Sequence, residues 1–202
     1  ERLISSITDA DYRQICSTMM ARHKESLKTI PAAKSVHHGF ISGLLMHTAT
    51  MMKTADFLAS LYGDIIDRSL LLAGTFPHDF AKEKEFTFSQ LGLVTEYSVK
   101  GQLLGHLVMG AQEVAAIASE LGIPEDKSVL LQHMILSHHG EPEFGAAVKP
   151  ICAESELLSQ IDMLDSRMEI YRETLAGLQV GEVSSRIFAL DKRVFKPHEL
   201  NG

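Results

Sequence analysis

The residues best suited to chemistry in this chain are histidines and aspartates set among apolar helices. The pair His78-Asp79 is followed one helical turn later by Lys82, and His47, His106, His138, His139 and Asp162 each interrupt apolar surroundings. Imidazole and carboxylate together suit divalent first-row metals, and an aspartate beside a histidine can give one oxygen to one ion and its second oxygen to another. Such a set points to metal-assisted hydrolysis, of a phosphoester foremost. Taken singly, His47 and His106 each read as an ordinary buried histidine bonded to a backbone carbonyl. His138 and His139 would also suit the negative end of a preceding helix, an effect worth about 0.3 to 1 kcal/mol at a surface. Asp162 resists such a reading, because an aspartate beside Ile161 and four residues after Leu158 is costly to bury unpaired. Asp165 is the alternative inward carboxylate on the same helix. What lifts the set is conjunction: several residues, each awkward alone, are mutually satisfied around one metal centre.

The elements that must position these side chains are helical, because apolar residues recur at three- and four-residue spacing and no stretch alternates with period two. The expected class is all-α, without a sheet. A first helix starts near Thr8, carries Ile15, Met19 and Leu27, and stops at Pro31. After a connector at 32–39, a second runs over about 41–62 with Leu44, Met51, Ala55 and Leu58 inward and His47 beside them. A third follows Asp67 toward His78; Pro77 bends or breaks the backbone at Phe76 and sets the His-Asp pair on a turn. Residues 83–99 lose periodicity and read as a long loop, a candidate substrate-facing lid. A helix from Gly101 to Leu121 ends at Gly122, and Pro124 opens another that terminates at His138-His139. Residues 141–150 read as loop, and a last helix over about 153–175 carries Leu158, Ile161, Asp162 and Leu164.

A chain of 202 residues with 45% apolar content fits one domain, 1–202, around a single core. It opens on Glu1 rather than methionine and is expected to be a piece of a longer protein. Cys16 and Cys152 lack CxxC spacing, as in a reducing cytoplasm. No apolar run approaches the ~20 residues of a membrane span, so no membrane partner is expected. A formal charge of −7 argues against strong, sequence-independent nucleic-acid binding by this chain alone, but leaves open a small nucleotide or a strand end. The sequence leaves room for a homo-oligomer and does not specify one.

The ordered series of motifs resembles the HD-domain metal-dependent phosphohydrolases, with a lone His, then His-Asp, then a distant Asp. Within them the match is nearest to the HD domain of YhaM-type 3′-to-5′ exoribonucleases. It is carried by PAAKSVHHGFISGLLMHT at 31–48, HDFAK at 78–82, EYSVKGQLLGH at 96–106, LSHHGEPEFG at 136–145, IDMLDSRM at 161–168 and RIFALDKR at 186–193. The resemblance implies an HD-type helical bundle with a metal site between helices. It implies His47, His78, Asp79 and Asp162 as ligands of one metal, His106 and His138, with His139, as ligands of a second, and Asp79 as the bridge. It also implies an N-terminal OB-like nucleic-acid-binding domain that is absent from this chain. Pro77, Phe80 and Ala81 depart from the family's usual small apolar residue before His-Asp and Ile-Gly or Leu-Gly after it, while every expected ligand is kept.

The expected mechanism has one or two divalent ions, manganese foremost and iron, cobalt, nickel, zinc or magnesium as alternatives, activating a water for in-line attack at phosphorus. Asp79 and Lys82 are the candidate catalytic residues. Lys82, His37, His38 and Arg167 are the candidate substrate contacts, Arg167 through its bidentate fork and Lys82 as a point charge. Against these stand a solvated lysine in the run Lys82-Glu83-Lys84-Glu85 and a surface salt bridge for Arg167. His23, His133 and His198 read as structural. Three functions follow: a 3′-to-5′ exonuclease on RNA or single-stranded DNA, a phosphohydrolase of small or cyclic nucleotides, and a catalytically degenerate HD binding module.

Overall fold

The computed structural model describes residues 1–30, 43–89 and 94–199. His37 and His38 lie outside the described residues. The chain folds as α1 (Arg2–Ser5), α2 (Ala10–His23), α3 (Gly43–Leu61), α4 (Arg68–Thr75), α5 (Lys82–Glu85), β1 (Phe86–Phe88), β2 (Val94–Tyr97), α6 (Val99–Leu121), α7 (Glu125–Ser137) and α8 (Ala153–Ala176), with short 3-10 turns between. None of the described helices is long and apolar enough to cross a membrane.

The centre of the bundle is α4. Asp67 caps it by accepting from the backbone N–H groups of Ser69 and Leu70, and every residue from Ser69 to Thr75 is buried. Its apolar run explains that placement: Leu70, Leu71, Leu72 and Ala73 cover the whole circumference, so the helix is stable only when wrapped. It packs against α2, α3, α7 and α8, while α6 lies against α7. One continuous core results, from Ile15 and Met19 of α2 through Met51 and Ala55 of α3 to Leu131, Met134 and Ile135 of α7 and Leu158 and Ile161 of α8.

Three elements differ from the sequence expectation. The first long helix is capped by Asp9 rather than Thr8, whose hydroxyl instead meets Ser69 at 3.0 Å, and it ends at His23. The segment 83–99 is not one long loop. It holds α5 and an antiparallel hairpin that pairs Phe86 with Tyr97 and Thr87 with Glu96. This is a small two-stranded sheet in an otherwise all-α fold, and Phe86 against Tyr97, with ring centroids 5.1 Å apart, accounts for part of its stability. Finally, α6 begins at Val99 and is interrupted at Gly105, where the backbone turns to φ 70 and ψ 161.

Candidate metal centre

Each chemically active side chain comes from a different part of the bundle. α3 supplies His47, the turn after α4 supplies His78 and Asp79, and α6 supplies His106 just past its interruption. The C-terminal end of α7 supplies His138 and His139, and α8 supplies Asp162 and Asp165. The turn after α4 forms as Pro77 requires: helix α4 stops at Thr75, and Phe80 N–H bonds back to the Pro77 carbonyl at 3.1 Å. Phe76 nevertheless keeps right-handed helical angles, although the following proline disfavours them; its ring is buried edge-on against Phe80, 4.7 Å between centroids.

Asp79 is the hub. It is 2% exposed, and its two oxygens face two sets of imidazoles. Oδ2 lies 3.4 Å from His78 Nε2 and 3.8 Å from His47 Nε2. Oδ1 lies 3.4 Å from His106 Nε2 and 3.5 Å from His138 Nε2. On the first side His47 Nε2 is also 3.3 Å from His78 Nε2 and 3.2 Å from Asp162 Oδ1. Two donors of one ion, each bonded at about 2.0–2.2 Å, sit roughly 3 to 3.5 Å apart. The groups His47-His78-Asp79, His78-His138-Asp162 and His106-His138-His139 each bring ligand atoms within 4.8 Å of one another.

The rings are held from behind. Nδ1 of His78 donates to the Thr75 carbonyl at 2.8 Å, and Nδ1 of His138 to the Ile135 carbonyl at 2.7 Å. Nδ1 of His47 is 2.7 Å from Asp165 Oδ2, and Nδ1 of His106 is 3.1 Å from both oxygens of Glu85. Four histidines are thus anchored through Nδ1 and present Nε2 inward, the arrangement that fixes the tautomer and orientation of metal-ligating imidazoles. Four buried atoms at the cluster, Asp79 Oδ1, His106 Nε2, His138 Nε2 and His139 Nδ1, have no hydrogen-bond partner among the described residues. Converging buried acceptors without donors are costly unless a cation satisfies them, so the residues present fit divalent metal ions.

The charge balance agrees. Burial opposes ionisation of Asp79, but the Lys82 ammonium, 2.6 Å from Oδ2, holds the carboxyl well below its ordinary range. Burial likewise opposes ionisation of Asp162, and the His47 imidazole outweighs it and lowers that carboxyl too. Burial keeps His138 and His139 neutral, the latter pushed down to about 3 with His138 and His106 as neighbours. Neutral imidazole is the form that binds metal. His47 is the exception: burial disfavours its charge, yet Asp162 and Asp165 raise it to about 9. A cation entering here takes the place of that proton, so uptake releases it.

The structure brings His47, His78, Asp79, His106, His138, His139 and Asp162 together. Asp162 and Asp165 both point inward, the first at Nε2 and the second at Nδ1 of His47. Lys82 is not a solvated member of a charge run; it closes on Asp79. Arg167 has no ion-pair partner among the described residues and lines, with His47, Asp79, Lys82, His139 and Asp162, a cleft of about 480 Å³ opening from the cluster. His133 accepts from Ile151 N–H away from the cluster, and His198 is exposed. The residue that sequence reasoning missed is Glu85. It is buried and accepts from both the backbone N–H and the ring of His106. Its only local signal is the alternation Lys82-Glu83-Lys84-Glu85, which reads as a solvated face; burial comes from α6 folding back across the hairpin.

The fold and the cluster define a helical bundle of the HD type. Over almost its whole length this chain is a relative of proteins named 3′-5′ exoribonuclease YhaM. It is 37% identical to that of Oceanobacillus iheyensis over 207 aligned positions, taking in 98% of this chain and 64% of the relative. It is 38% identical to that of Bacillus licheniformis and 37% to that of Bacillus subtilis, in each case over 192 positions covering 95% of this chain and 60% of the relative. The chain therefore spans somewhat under two thirds of the length of these relatives. No family model and no solved structure matches the chain.

Proposed function

We propose that this chain is the hydrolytic part of a metal-dependent 3′-to-5′ exonuclease acting on RNA or single-stranded DNA. The observation that carries the reading is Asp79, whose two oxygens address two separate sets of buried imidazoles at 3.4 to 3.8 Å. His47, His78 and Asp162 would hold one divalent ion and His106, His138 and His139 a second, with one oxygen of Asp79 available to each. Manganese is the first choice, although imidazole and carboxylate also accept iron, cobalt, nickel, zinc and magnesium. Bound there, the ions supply Lewis acidity and a water whose pKa is brought toward neutrality.

The chain's own residues do the rest. Glu85, Asp165 and the Thr75 and Ile135 carbonyls hold the rings in register, so little reorganisation is left for the reaction. Lys82 balances the charge of Asp79 and presents an ammonium to the cleft, while Arg167, lacking a carboxylate partner among the described residues, is free to grip a phosphate oxygen pair. The names of the relatives support RNA as substrate. In this reading an OB-like domain of the whole protein grips the strand, which a chain of charge −7 does poorly alone. Both cysteines are free, in keeping with a cytoplasmic setting.

A second reading, hydrolysis of a small phosphorylated nucleotide, is favoured by the cleft volume of about 480 Å³, a size that suits one small ligand. The test is metal content of chelator-stripped and manganese-reconstituted protein, with a 3′-labelled oligoribonucleotide and bis-p-nitrophenyl phosphate assayed side by side. Two ions per chain and turnover of both substrates, each abolished by Asp79→Ala, are expected. Turnover of the small ester alone moves the assignment to small nucleotides, and protein that takes up no metal in any preparation sinks both readings.

A further inference from the structure

An aromatic ring stands exposed on the same cleft as the metal cluster, and no part of the hydrolytic reading above uses it. Phe144 lines that cleft and is 71% exposed, although the backbone that carries it is tightly held. It ends the 3-10 turn Pro142–Phe144, where its N–H bonds to the Glu141 carbonyl at 2.9 Å. Gly145 closes the turn at φ 102, a conformation open to glycine but strained for other residues. A Cβ built on Gly145 would lie 3.2 Å from Nδ1 of His139, so a side chain there would press on a ring of the cluster. Two residues on, the Ala147 N–H is bonded to the Leu136 carbonyl of α7 at 2.9 Å. The ring therefore leaves a fixed point next to the metal centre and faces solvent in the cleft.

We infer that Phe144 is the platform on which the 3′-terminal nucleobase of the substrate stacks. A flat apolar ring suits any base, because every base offers a π-face; such stacking gives affinity without sequence preference. Apart from the imidazoles of His47, His138 and His139, which belong to the metal cluster, Phe144 is the one aromatic side chain among the described residues that line the cleft, the rest being polar or aliphatic, among them Met163, Arg167 and Ile170. Arg167 on the same cleft suits the phosphate that accompanies the base. The inference rests on the nucleic-acid reading of the site, and narrows it to the contact that seats the strand end.

The test crosses removal of the base with removal of the ring. Steady-state KM is measured for oligoribonucleotides ending in an ordinary nucleotide or in a 3′-terminal abasic ribose, with wild type, Phe144→Ala and Phe144→Leu. Deleting the base is expected to raise the wild-type KM about ten-fold or more, the order that loss of one stacked base implies. The same deletion should change KM little in either variant, and Leu, which keeps apolar bulk without a ring, should behave as Ala does. A binding readout stands beside it. The chain has no tryptophan, so Phe144→Trp introduces its only indole. Titration with an oligoribonucleotide whose last linkage is a phosphorothioate should quench that fluorescence saturably, and the abasic strand should need a concentration about ten-fold higher. Turnover of RNA with the same base-deletion penalty in wild type and Phe144→Ala overturns the stacking and leaves the hydrolytic reading intact. Wild-type protein that cleaves no oligoribonucleotide overturns both.

Discussion

His47 Nδ1 lies 2.7 Å from Asp165 Oδ2, so the carboxylate one helical turn past Asp162 sits behind the ring whose other nitrogen Asp162 faces. The two aspartates thereby divide two tasks: Asp162 stands among the groups an ion would touch, and Asp165 orients the imidazole. This division yields a clear expectation. Asp165→Ala frees His47 to rotate, and loss of such a carboxylate behind a ligating histidine lowers metal affinity by about 10- to 100-fold. Competition against a fluorescent chelator should show that loss for one ion per chain, with the second nearly unchanged. Equal weakening of both, or of neither, would rule out this role.

The sequence carried the chemistry further than it carried the local structure. His78-Asp79, His106, His138 and Asp162 announce themselves as polar residues in apolar helices, and the helix that delivers the first pair starts after Asp67 as expected, although Phe76 keeps helical angles where the sequence places a bend or break. Glu85 did not announce itself, because its neighbours Lys82, Glu83 and Lys84 form an alternation that any exposed helix shows; only the fold-back of α6 buries it against His106. The hairpin was also illegible. Its strands are three and four residues long, too short for period two to register against helical surroundings. Asp162 and Asp165 could not be separated by pattern, since residues three apart on a helix share a face.

A second buried histidine makes a pH prediction away from the cluster. His23 of α2 is pinned between Glu83 Oε2 at 2.6 Å and Glu113 Oε1 at 2.7 Å, joining α2 to α5 and α6, and Lys84 closes on Glu113 at 2.7 Å. Burial opposes its charge, but Glu113 and Glu83 raise it to about 9, while His23 and Lys84 lower Glu113 to about 2 against its own burial. A raised histidine contributes stability that is complete below its ordinary value near 6.5 and is lost as pH rises through about 9. A depressed glutamate contributes stability that is complete above 4.5 and is lost as pH falls toward 2. The clamp is therefore worth most between about pH 4.5 and 6.5, on the order of 2 kcal/mol. In chelator-treated protein the Tm gap between wild type and Glu113→Gln should be widest in that window and should narrow by pH 10. A gap that stays constant from pH 5 to pH 10 would contradict the linkage.

The interruption of α6 yields a prediction in which space and strain are separable. Gly105 adopts φ 70 and ψ 161 one residue before His106, whose N–H then leaves the helical ladder and donates to Glu85 Oε1 at 3.0 Å. A Cβ at Gly105 would meet nothing nearer than Glu85 Oε1 at 3.8 Å, so Gly105→Ala fails for conformational rather than steric reasons. Backbone angles of this kind cost a residue with a side chain about 1 to 3 kcal/mol, or roughly 2 to 4 °C of Tm per kcal/mol at this chain length. Alanine can instead relieve the strain by continuing the helix, which would draw the His106 N–H away from Glu85 and turn the imidazole off Asp79. Only the second response weakens the side of the cluster that His106 serves, so the two are told apart by Tm and metal stoichiometry together. Strain borne in place lowers Tm and keeps two ions per chain, whereas a repaired helix keeps Tm and drops the count to one. Gly105→Ala protein with wild-type Tm and two ions would show that the break in α6 does not position His106.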